Sequence, residues 1–259
     1  MKIKGLIGNL LAAILIFTGF AGETQAQVLG GPKPVIQSVV SSPNPPIVAV
    51  GATVEITVTA GGSPTSFQWM KANLPVPSTN PTAQTSKLVL TSASLTDAGA
   101  YTIVVKNGFG SVTSTSPVNV VMVSDPVVKT QPAGLTVAVG PTASAKFSVA
   151  TAVAPPAGVG IGYVWKKDGV TFQTTTSTAT TASVTVPVRD MSAGGDYTVE
   201  VFHFRGTDTT ARVGNSVTSA VAKLTTVDPP RNAVASTTQT IVAVGSAVEL
   251  NASVLGATP

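Results

Sequence analysis

Tyr101-Thr102-Ile103-Val104-Val105 returns later in the chain as Tyr197-Thr198-Val199-Glu200-Val201. Each copy follows one of the chain's two tryptophans, Trp69 or Trp165, at the same distance of 32 residues. Apolar residues at every second position predict a β-strand with one face buried. Working outward, Val48-Ala49-Val50-Gly51 recurs as Val137-Ala138-Val139-Gly140 and as Val242-Ala243-Val244-Gly245. Each glycine is followed by further alternation: Val54, Ile56, Val58; then Ala145, Phe147, Val149; then Val248, Leu250, Ala252. The chain is therefore an internal repeat.

The interval from Gly51 to Gly140 is 89 residues and that from Gly140 to Gly245 is 105. The excess falls at three defined places, with two residues between Gly140 and Val149, five between Val149 and Trp165 and nine between Tyr197 and Ser216. Lys167-Asp168-Gly169 carries an Asp-Gly hairpin signal, and Leu88-Val89-Leu90 and Val184-Thr185-Val186 are further strand candidates. Asn107-Gly108-Phe109-Gly110 is a tight connection. No segment after residue 27 keeps helical apolar spacing over three turns. Roughly seven short strands per repeat, separated by turn residues, predict an all-β chain of tandem sandwiches.

Asp97-Ala98-Gly99-Ala100-Tyr101-Thr102-Ile103 after Trp69 resembles the signature of the immunoglobulin superfamily, specifically its bacterial extracellular, I-set-like modules that lack the intersheet disulfide. The resemblance implies that Val58 and Ile103 stand at the two cysteine positions of the first copy, and Val149 and Val199 at those of the second. It implies a core role for Trp69 and Trp165 and a corner role for Tyr101 and Tyr197, whose hydroxyls reach back to main chain. Ala193 stands where Asp97 stands in the first copy, so any bracing by that carboxylate is expected to be missing from the second.

The resemblance covers 33–123 and 126–227 as two Ig-like domains, and 229–259 as the opening of a third, expected to be a repeat cut short. Met1 to Ala26 reads as a secretory signal: Lys2 and Lys4 precede an apolar run, and Thr24-Gln25-Ala26 offers cleavage before Gln27. The run is shorter than the ~20 residues of a bilayer span, so no membrane span is expected after cleavage. The expected location is outside the cell, secreted or at its surface.

Composition excludes much chemistry. The 259 residues include no cysteine and one histidine, His203, which excludes thiolate sites, thiol nucleophiles and the usual multi-histidine metal centres. Charged residues are only 10% of the chain, and Lys166-Lys167 is its one adjacent basic pair. The net charge of +4 is therefore too dispersed for a nucleic-acid surface. Gly158-Val159-Gly160-Ile161-Gly162 resembles a phosphate loop only in glycine count and is read as a flexible loop. The sequon Asn251-Ala252-Ser253 falls in a predicted strand and is discounted. No catalytic, cofactor-binding or metal-binding residue is assigned, and the chain is read as a non-enzyme without cofactors.

One segment concentrates anchor-type residues. Phe202, His203, Phe204, Arg205, Asp208 and Arg212 fall in the longer connection of the second copy, at the end where the family's recognition loops emerge. Two readings stand: an extended hairpin with locally packed phenylalanines, or a tip that binds a partner. The expected function is a spacer, adhesion or assembly module for an unknown protein or glycan at the cell surface. The alternatives are an accessory region of a longer secreted enzyme, or a carbohydrate- or cell-wall-binding module using that tip. Self-association by strand addition from Thr240–Val254 of the incomplete copy is a further expectation.

Overall fold

The alternating segments of the first repeat form β1 (Val35–Ser42), β2 (Ile47–Ala49), β3 (Val54–Gly61), β4 (Ser66–Lys71), β5 (Leu74–Pro75), β6 (Lys87–Leu90), β7 (Gly99–Asn107), β8 (Gly110–Thr113) and β9 (Val118–Val123) in a computed structural model. The second forms β10 (Val128–Thr130), β11 (Leu135–Ala138), β12 (Ser144–Thr151), β13 (Val159–Lys167), β14 (Val170–Ser177), β15 (Thr181–Pro187), β16 (Gly195–Arg205), β17 (Arg212–Thr218) and β18 (Ala222–Val227). A further antiparallel pair, β19 (Arg231–Ala235) and β20 (Ala252–Leu255), follows. The structure describes residues 31–229, 231–235 and 252–255. The signal reading of Met1–Ala26, the strand expected at Val248 and Leu250, Asn251 of the sequon and nearly all of Thr240–Val254 lie outside the described residues.

In the first sandwich β1-β3-β6 make one sheet and β2-β9-β7-β4-β5 the other, with β8 also paired to β7. Adding nine to every label reproduces the second sandwich: β10-β12-β15 face β11-β18-β16-β13-β14, with β17 on β16. The fold is all-β, with tandem immunoglobulin-like sandwiches. The recurring Val-Ala-Val-Gly is the segment that changes sheets. It makes β2 parallel to β9 and β11 parallel to β18. Val50 N then donates to Val123 O and Val139 N to Val227 O, both at 2.9 Å. Gly51 turns the chain away with φ +88°, a conformation that costs other residues steric strain.

Each sandwich has its own core, built from the alternating positions. Trp69 lies opposite Ile103 across β4 and β7, and Trp165 lies opposite Val199 across β13 and β16. Val58 and Val149 belong to the facing sheets, and all six side chains are buried. Burying a Val or Ile side chain stabilises by about 1.5–3 kcal/mol, comparable with the ~2–5 kcal/mol of a disulfide in a small domain.

The tyrosine corners close identically. Tyr101 Oη donates to Asp97 O at 2.9 Å, and Tyr197 Oη to Ala193 O at 2.8 Å. The acceptor is main chain, so replacing Asp97 by Ala193 leaves this bond in place. The Asp97 carboxylate does other work, accepting from Ser94 N at 2.8 Å and Ser94 Oγ at 2.9 Å. The second copy moves this brace to Asp190, which accepts from Ser192 N at 2.9 Å. Burial, with Asp97 nearby, pushes the Tyr101 hydroxyl up to about 12.

Candidate functional site

The two longer insertions of the second repeat meet where it joins the first. Chain entry and the β12–β13 and β16–β17 connections share one end of an immunoglobulin-like sandwich, so a short linker presses that end onto the preceding sandwich. Here the linker is Ser124–Val127, between β9 and β10. Ile47 and Val123 of the first sandwich bury with Val159 and Val213 of the second, with Ala49 and Val121 packed against them. The two inserted connections also hold each other, Gly206 N donating to Gly158 O at 2.8 Å.

Polar groups fasten the linker. Asp125 accepts from Asn215 N and Asn215 Nδ2, both at 2.8 Å, and these bonds hold its carboxyl below the usual value. Asn215 can approach because its neighbour is Gly214, at φ +75°, where a Cβ would lie 2.5 Å from Asp125 Oδ1. His203 Nδ1 lies 3.1 Å from Ser124 O, which makes it the donor to that carbonyl. His203 Nε2 is buried and has no hydrogen-bond partner among the described residues. Burial pushes the imidazole pKa down, against the opposing pull of Asp125. A groove of about 360 Å³ runs along this junction, lined by Leu95, Val127, Val153, Pro155 and His203 among others.

The six residues for which the sequence allows both a packed hairpin and a binding tip divide between the interior and the surface. Phe202, His203 and Phe204 are buried, on a β16 that continues to Arg205 and is paired on both sides. The readable cause lies in the segment expected to be a flexible loop. Val159–Gly162 are instead strand residues of β13, with Gly160 opposite Phe204 and Gly162 opposite Phe202. A Cβ on Gly160 would sit 2.3 Å from Phe204 Cζ, and one on Gly162 would sit 2.2 Å from Phe202 Cζ. The glycines leave room for the rings, and the rings cover otherwise bare backbone. The glycines are plain in the sequence, but their partners lie about forty positions away across the sheet.

Arg212, exposed, places its guanidinium 3.8 Å from the Phe202 ring centroid and donates to Glu200 Oε1 at 2.7 Å. Lys166 donates to the other oxygen of Glu200 at 2.8 Å, and the two cations hold the Glu200 carboxyl down to about 2. Asp208 caps its own turn, accepting from Thr210 N and Thr210 Oγ1. Arg205 is half-buried at the strand end. Asp208 and Arg212 are thus the exposed members of the set. Among the described residues no three His, Asp or Glu side chains gather as a metal site, and no helix is long and apolar enough to cross a membrane.

Residues 33–107 match the family model described as immunoglobulin domain. Among solved structures, an I-band fragment of titin is 18% identical, with a TM-score of 0.55, covering 77% of this chain and 67% of that one. A three-domain titin variant carrying Glu-to-Ala changes matches at 17% identity and the same TM-score and coverage. Three N-terminal domains of the outer capsid protein Hoc of bacteriophage RB49 match at 20% identity and TM-score 0.42, over 86% of this chain and 69% of that one. No curated protein matches. The titin likeness defines a class, the tandem immunoglobulin-like chain, by fold alone.

Proposed function

We propose that this chain is an exported, non-catalytic presentation module. Its domains are taken as 33–123 and 126–227, and its second domain uses its insertions to hold the first at a fixed angle. The observation that carries this reading is the junction itself: a buried apolar cluster, the Asp125–Asn215 pair and the His203–Ser124 bond converge on one linker. Independent beads need no such fastening. A spacer that must project a distal surface gains from it, because flexibility at each joint shortens the mean reach. Export follows the sequence of residues 1–26, and a cysteine-free core suits a protein that matures without disulfide chemistry.

Nuclear-spin relaxation tests the reading. The two sandwiches are expected to tumble with one common correlation time in the native chain, and Asp125→Ala with Asn215→Ala is expected to separate them. Independent tumbling of the native domains would overturn the fixed-angle reading.

A further inference from the structure

The two sandwiches differ at one matching edge. In the first, β5 is only Leu74–Pro75, Pro77 and Pro81 follow, and β6 opens at Lys87, which is ion-paired to Glu55. Proline removes the N–H that an added strand would bond, and charge discourages stacking of edges. In the second, the corresponding β14 runs eight residues, Val170–Ser177, and among the described residues it ends its sheet and pairs only to β13. The next strand, β15, ends the facing sheet. From Val170 to Val188 there is no Asp, Glu, Lys, Arg or His, and the single proline is Pro187, the last residue of β15. The pairing with β13 shifts register at Phe172, which leaves Gln173-Thr174-Thr175-Thr176-Ser177 as a regular edge. Thr174 and Thr176 are exposed.

We propose that this edge is a self-association surface, on which β14 pairs antiparallel with β14 of a second copy about a two-fold axis at Thr175. The occupant follows from charge. Two copies of a chain carrying +4 meet here without local repulsion, whereas a charged partner strand finds no complement. The register is self-matching: Gln173 faces Ser177, Thr174 faces Thr176, and Thr175 faces itself. Such cross-strand Thr–Thr and amide–hydroxyl pairs favour pairing. A contact of one strand pair is small, so the dimer is weak and concentration-dependent. The surface is separate from the junction, and the failure of either reading leaves the other standing.

Sedimentation equilibrium of the whole chain, from dilute to near-millimolar protein, is expected to show reversible monomer–dimer exchange. Thr174→Lys with Thr176→Lys is expected to abolish it while leaving thermal unfolding unchanged, and Gln173→Lys provides a second, milder variant at the same edge. Because the chain has no cysteine, register can be read directly. An equimolar mixture of Thr174→Cys and Thr176→Cys chains is expected to cross-link faster than either alone, and faster than Ser148→Cys, on an internal strand. A chain that stays monomeric throughout, a dimer undiminished by the lysines, or cross-linking with no advantage in the mixture would each overturn the proposal.

Discussion

Gly162 and Phe202 form a single packing unit: they are register partners across β13 and β16, and a Cβ on the glycine would fall 2.2 Å from the phenyl Cζ. Gly160 and Phe204 repeat the arrangement two register pairs further along. Glycine in a strand interior ordinarily weakens it through entropy and lost packing. Here that cost is offset by a ring laid over each bare site, with the Arg212 guanidinium 3.8 Å from the centroid of the Phe202 ring.

Gly162→Ala is therefore expected to destabilise, despite the usual preference for alanine over glycine. The ring must leave its position, at a cost of about 1–3 kcal/mol, the range for overpacking. Denaturant unfolding measures this, and adding Phe202→Leu should recover part of the loss. An alanine variant at least as stable as the native chain would contradict the pairing.

The junction should loosen in mild acid. Burial lowers the His203 pKa in the folded state, so the folded junction takes up a proton less readily than the free imidazole, whose ordinary value is about 6.5. Stability is then fully present above that value and declines as pH falls below it, down to the folded pKa. Between about pH 7.5 and 5.5 few ordinary carboxylates change state. Interdomain coupling followed by relaxation or small-angle scattering should weaken across this window, and His203→Gln should flatten the response. A native chain whose coupling is constant across the window would exclude His203 as the cause.

At the tyrosine corners the two repeats should respond alike in spite of their different sequences. Tyr101→Phe and Tyr197→Phe each remove one side-chain-to-carbonyl bond and are expected to cost about 1 kcal/mol. Ala193→Asp should leave the Tyr197 corner unchanged, because the acceptor there is a main-chain oxygen. Calorimetric melting of the three variants decides the matter. A substantial gain from the aspartate would mean that its carboxylate takes part.

What the sequence disclosed was whatever repeats locally. Alternation about Val58 and Val149, the fixed step from tryptophan to tyrosine, and the turn at Asp168-Gly169, whose φ values of +50° and +80° suit a tight hairpin, are all written within a few residues. The glycines of β13 look like a flexible loop within their own segment because their meaning lies in Phe202 and Phe204, across the sheet. The cluster from Phe202 to Arg212 is unusual in composition, but composition does not give its surroundings. Three of its side chains are buried, and His203 meets the linker left by the preceding sandwich.

The parallel pairing of β2 with β9 has a mechanical consequence. Tension along the chain pulls the leading end of β2 one way and the trailing end of β9 the other, along the axis of the strands. The bonds that join Ile47–Ala49 to Val121–Val123 are then sheared together rather than peeled singly, and the same holds for Leu135–Ala138 against Leu224–Val227. The Val-Ala-Val-Gly segments that begin at Val48 and Val137 thus each place a shear joint between the first and last strands of one sheet of their sandwich.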